Sequence, residues 1–195
     1  NWIVVERVVI EDPELARRAR IELVPTPRAA PVSEEVETSG MTISAAVPVY
    51  ADNTLVGALY GGVLLARSEE IVDRVRSTIF QDETYQGQSI GTATIFFGDV
   101  RIATNVMTPQ GERAIGTRVS QEVRDKVLGE GERWTDRAFV VHDWYLAAYE
   151  PVRSLDGSTV GIIGVGVLER YYAQIRDRVI ISFFVFYPGL IPYRI

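Results

Sequence analysis

The segment Val47-Pro-Val-Tyr-Ala-Asp-Asn-Thr-Leu-Val-Gly-Ala-Leu-Tyr-Gly-Gly-Val-Leu64 is echoed further along the chain by Glu150-Pro-Val-Arg-Ser-Leu-Asp-Gly-Ser-Thr-Val-Gly-Ile-Ile-Gly-Val-Gly-Val-Leu168. Pro48 aligns with Pro151, Val56-Gly57 with Val160-Gly161, and Gly62-Val63-Leu64 with Gly166-Val167-Leu168, with one extra residue in the second turn. A repeated supersecondary unit leaves such an offset. Each copy reads as a β-hairpin: an apolar strand through Pro-Val, a polar turn, and a second apolar strand. Glycines at 57, 61, 62, 161, 164 and 166 would weaken an isolated strand, so something must approach the backbone there. A crossing helix or neighbouring strand is one reading, and a ligand floor is the other.

Between the copies, residues 67–80 have the pattern of an amphipathic helix, with Ser68 as cap and Ile71, Val72, Val75 and Ile79 on one face. Residues 92–97 and 100–104 read as strands around a Gly98-Asp99 turn. Ser120 then caps a helix running to Leu128, supported by a Glu122–Lys126 pair. Residues 137–141, a His142-Asp143 corner and residues 144–149 lead into the second hairpin. The result is about five strands with one helix inserted after the first pair. A last helical pattern begins at Glu169 and runs into the apolar stretch 179–187. Near the start, Asp12-Pro13-Glu14 opens a helix, Pro25 and Pro27 end it, and residues 29–40 read as an exposed loop.

The chain has 195 residues, 47% of them hydrophobic, enough for one ordinary core or two small ones. A net charge of -6 and a pI near 4.9 argue against nucleic acid, which needs a cationic surface. There is no cysteine, which removes disulfides and thiolate chemistry, and a single histidine cannot make a two-His metal site. No cofactor is implied. The tail 179–187 reads equally as a clipped membrane segment or as an apolar tail, and Pro188, Gly189 and Pro192 count against a clean span.

Three stretches together resemble a Cache sensor domain: Gly91 to Asn105, Gly116-Thr-Arg-Val-Ser120, and Gly131 to Pro151 around Arg137-Ala-Phe-Val-Val and Trp144-Tyr-Leu-Ala-Ala-Tyr. Pro25-Thr-Pro-Arg28 and residues 55–65 resemble the partner module of the double-Cache arrangement. The resemblance implies an α/β (α+β) fold of PAS-like antiparallel sheets flanked by helices, in two tandem modules. These would be residues 1–66 and 81–170, joined by the helix 67–80 and followed by a membrane-directed helix and tail, 171–195. It further implies an extracytoplasmic, periplasmic sensor of a membrane-tethered bacterial receptor, a histidine kinase, chemoreceptor or cyclic-dinucleotide enzyme, with a small-molecule ligand as its partner; a homodimer is a further expectation.

Arg101, Arg118 and Arg137 are the candidate binding residues of most weight, because a guanidinium recognises a carboxylate bidentately. Trp144, Tyr145 and Tyr149 lie on a strand that forms a pocket wall in the resembled family. Alternation puts Tyr145 and Tyr149 on one face and Trp144 on the other. His142 beside Asp143 invites a catalytic reading, but no nucleophile motif accompanies it and neighbours on a strand diverge. A turn residue, or a pH-sensitive pocket wall, is the expectation. No catalytic residue and no metal ligand is assigned. A sensor for a small organic molecule such as a carboxylate is the first expectation, and a non-binding structural or dimerisation module is the alternative. The expected pocket lies between residues 144–149, residues 100–104 and the loop before Ser120.

Overall fold

The computed structural model describes residues 2–176, and the apolar stretch 179–187 lies outside them. The chain order is β1 (Trp2–Val8), α1 (Pro13–Ala19), β2 (Ile21–Glu22), β3 (Val36–Glu37), β4 (Gly40–Ala51), β5 (Thr54–Leu64) and α2 (Glu69–Phe80). It continues with β6 (Thr84–Tyr85), β7 (Gln88–Ser89), β8 (Gly91–Phe97), β9 (Val100–Thr104), α3 (Gln121–Arg124), β10 (Trp134–Val140), β11 (Asp143–Arg153) and β12 (Thr159–Leu168). Residues 169–176 are helical.

Five strands form one antiparallel sheet in the order β10-β11-β12-β8-β9, so its last strand pairs with its first, as in a PAS-like sheet. The fold is therefore α+β with antiparallel sheets and few helices. The two repeated hairpins lie in different sheets, since β4 and β5 belong to the three-stranded sheet β1-β4-β5. Their registers coincide: Pro48 lies opposite Ala58 and Pro151 opposite Ile162, and the pairing slips after Val49 and again after Val152. The flanking strands match as well, with Trp2 opposite Ala46 and Trp134 opposite Tyr149. The smaller sheet thus repeats β10-β11-β12 strand for strand. Among the described residues it has no strand in the place of β8.

Alternation along β8 divides the core in two. Ala93, Ile95 and Phe97 face Ile21, Met41, Leu65 and Val72, so this layer joins the larger sheet to α2 and the N-terminal segment. Phe96 points the other way, to Tyr145, Tyr149, Ile162 and Leu168 beneath Val123 and Val127. Each fully buried side chain of this kind contributes roughly 1.5–3 kcal/mol.

Four local expectations are corrected. In α2 only Val72 of the expected apolar face is buried, whereas Ile71, Val75 and Ile79 remain exposed. Partners outside the helix set its rotation. Asp73 receives Arg113 at 2.6 and 3.0 Å, and Phe80 packs into the notch at Gly91, where a Cβ would fall inside its ring. Ser68 does not cap α2; its hydroxyl donates back to the Leu64 carbonyl at 2.8 Å. After α3 the chain widens into a π-helical turn over Asp125–Gly129, which carries Lys126 away from Glu122 and onto Glu130 and Glu132. The N-terminal helix opens on Asp12, which accepts from the backbone of Glu14 and Leu15, but stops at Ala19, well before Pro25.

Candidate functional site

The face of the larger sheet under α3 carries polar side chains among its apolar ones. Thr92 and Thr94 on β8, Arg101 and Thr104 on β9, and Tyr145 and Tyr149 on β11 are all buried. Thr94 and Thr104 share a hydrogen bond across the strands at 2.7 Å. The register explains why these residues meet: β8 faces β12 with Thr94 opposite Gly164, and β12 faces β11 with Gly164 opposite Tyr149. A Cβ at 164 would collide with the Tyr149 ring, so glycine there makes room for a neighbouring side chain and forms no ligand floor.

Arg101 is the unusual member. It is 2% exposed, with its guanidinium 5.1 Å from the centre of the Phe96 ring. One Nη donates to the Thr117 hydroxyl, and Nε is buried with no partner. No carboxylate of the described residues pairs with it. Burial lowers its pKa to about 10, opposed weakly by Tyr149 and Tyr145 nearby, so it stays cationic at neutral pH. Burial in turn raises the hydroxyls, Tyr145 to about 12 and Tyr149 upward.

A cavity of about 400 Å³ opens at the far end of the same face, lined by Gln88, Thr92, Asn105, His142 and Tyr145 among others. Tyr145 lines it, whereas Arg101 does not. The cavity wall is tied to the final helix. Gln88 donates to the Tyr145 hydroxyl at 3.1 Å, and its carbonyl oxygen accepts from Arg170, which also reaches Asp143 at 3.1 Å. Gln88 was not singled out from sequence, because a lone glutamine in a loop carries no pattern.

The remaining expected residues sit elsewhere. Arg118 is buried but already engaged: Nε and Nη2 grip Asp99 at 3.2 and 2.5 Å, and Nη1 donates to the Ala30 carbonyl at 2.5 Å. Arg137 lies on the opposite sheet face, paired with Glu169 at 2.7 Å and stacked 4.5 Å over Trp144. Trp144 stays with it, while Tyr145 and Tyr149 share the buried face, as alternation requires. His142 falls in the turn ahead of β11, so the divergence expected of strand neighbours does not apply; its Nε2 is 3.6 Å from Asp143. Of the seven residues, the structure brings Arg101, Tyr145 and Tyr149 together, with His142 at the cavity rim. Among the described residues no group of three His, Cys, Asp or Glu side chains could hold a metal ion, and no helix is long and apolar enough to cross a membrane.

No curated protein matches the chain. Residues 63–179 match the family model described as single Cache domain 3, a span that takes in α2 and all five strands of the larger sheet. The match leaves residues 2–62 outside, so a double-Cache arrangement goes further than the match does. With its PAS-like strand order and well over half of its length matched, the chain belongs to the single Cache domain 3 family, a family of extracytoplasmic sensor domains of signalling receptors and not of catalytic modules.

Proposed function

We propose that the chain is the ligand-sensing domain of a bacterial membrane-tethered receptor, a histidine kinase or chemoreceptor, and that residues 81–170 form the module that binds a small organic carboxylate. The observation that carries this reading is Arg101: a fully buried guanidinium whose Nε has no acceptor, and which faces no carboxylate, among the described residues. Leaving a cation buried and unpaired costs several kcal/mol. A ligand carboxylate would supply the missing charge and acceptors, and the rings of Tyr145 and Tyr149 would flank its carbon skeleton.

Occupancy would be passed on by a population shift. Tyr145 and Arg170 share Gln88, so a ligand that displaces the Tyr145 hydroxyl also alters the anchoring of the helix that begins at Glu169.

The test is a melting-temperature screen against short mono- and dicarboxylates, with wild type beside Arg101→Met. A binder at a hundred times its Kd stabilises the protein by about 2.7 kcal/mol. Wild type should gain that stability and Arg101→Met should not, while the ligand-free variant melts at or above the wild-type temperature because the orphan charge is gone. If no carboxylate stabilises wild type, or if Arg101→Met responds equally, the domain is a structural module or senses another chemistry.

A further inference from the structure

We propose that the outer edge of β5 is a homodimer interface in which β5 of one copy pairs antiparallel with β5 of a second, centred on Tyr60. In the larger sheet the corresponding edge of β12, from Gly161 to Val167, is covered by β8. The same backbone edge in β5, Gly57 to Val63, has no strand on it among the described residues. An open edge is normally protected by charge, proline or shortness. This one has none of these: β5 is 11 residues long and contains no charged residue and no proline. Leu55, Val56, Leu59, Tyr60 and Val63 are 58–68% exposed along it.

The glycines identify the occupant. Gly161, the counterpart of Gly57, is required by its own chain, because a Cβ there would strike the Phe96 carbonyl. Gly57 and Gly61 have open space around them and ordinary backbone angles, so nothing among the described residues calls for glycine. Strand glycine costs about 0.5–1 kcal/mol relative to alanine, and close approach of another backbone is what it accommodates. Antiparallel pairing about a two-fold axis at Tyr60 sets Leu59 opposite Gly61, Ala58 opposite Gly62 and Val63 opposite Gly57. Between residues 57 and 63 every side chain except Tyr60 on the axis then pairs large against small, which makes this part of the strand its own complement. The Tyr60 hydroxyl is drawn inward to Ser44 and Glu6 of its own sheet, which keeps the axis clear. A single strand pair is a small interface, at the low end of specific ones, so the dimer is a reversible one.

The test uses sedimentation from micromolar to millimolar concentration. Wild type should show a monomer–dimer equilibrium that Gly61→Lys weakens at least tenfold, with its melting curve unchanged at low concentration. Gly129→Lys, at another open glycine, should leave association intact. Because the chain has no cysteine, Tyr60→Cys reports the axis directly: opposed Cβ atoms in such a pair lie about 4.5–5.5 Å apart, close to disulfide reach. Tyr60→Cys should oxidise to a covalent dimer and Leu55→Cys should not. A monomer at every concentration, a Gly61→Lys dimer as tight as wild type, or cross-linking at Leu55→Cys in preference to Tyr60→Cys would overturn the assignment.

Discussion

Arg118→Ala tests the stability reasoning most directly, because a candidate for ligand recognition turns out to hold the fold together. Its side chain is 8% exposed and that of Asp99 is 11%, and the two meet through paired hydrogen bonds. The third nitrogen ties down the loop at Ala30, while the Arg118 backbone N–H donates to Thr26. Breaking a buried pair from one side costs about 3–5 kcal/mol. Removing Arg118 leaves Asp99 with Arg124 at 3.3 Å, so about 3 kcal/mol is expected. Removing Asp99 leaves the Arg118 guanidinium with only a carbonyl, so Asp99→Ala should cost about 5 kcal/mol. For a chain of this length each kcal/mol lowers Tm by about 2–4 °C, giving about 6–12 °C for Arg118→Ala and more for Asp99→Ala. Differential scanning calorimetry of both single variants and the double variant measures this. The double variant should lose less than the sum of the two, since no orphan charge remains. If either single variant melts within about 2 °C of wild type, the pair does not act as a buried ion pair and the reasoning fails.

Two further outcomes follow from the repeat and from the buried tyrosines. Gly161→Ala should destabilise by about 1–3 kcal/mol through overpacking against the Phe96 carbonyl, whereas Gly57→Ala, at the equivalent place in the first hairpin, should be neutral or stabilising by up to about 1 kcal/mol; equal effects in urea denaturation would dissolve the distinction. Tyr145, held up at about 12 and neutral in the fold, adds stability that is complete below pH 10 and is lost as the pH rises towards 12. Arg101, lowered to about 10, works the other way: its burial penalty is relieved over the same window. Tyr145→Phe should therefore show less loss of stability between pH 10 and 12 than wild type, and an unchanged alkaline slope would contradict this.

Much of the organisation was legible from the chain alone, because it rests on local periodicity. The two hairpins, the turn at Gly98-Asp99, the Asp12 cap and the separation of Trp144 from Tyr145 and Tyr149 all follow from alternation or from side chains reaching their own backbone. The recurring Pro-Val and glycine pattern even anticipated two hairpins with matching registers. What the sequence could not supply were the partners across space. Arg101 and Arg118 are alike as letters, and only the tertiary structure gives Asp99 to Arg118 and, among the described residues, no carboxylate to Arg101. The apolar spacing in α2 suggested one inward face, but Arg113 from a distant loop and the notch at Gly91 turned another inward. Equivalent glycines at 57 and 161 became opposites because one edge is covered by β8 and the other, among the described residues, by no strand. Pattern specifies which elements form because their hydrogen bonds are local; charge pairing, helix rotation and edge coverage are settled by groups far apart in the chain, whose meeting exists only in the folded molecule.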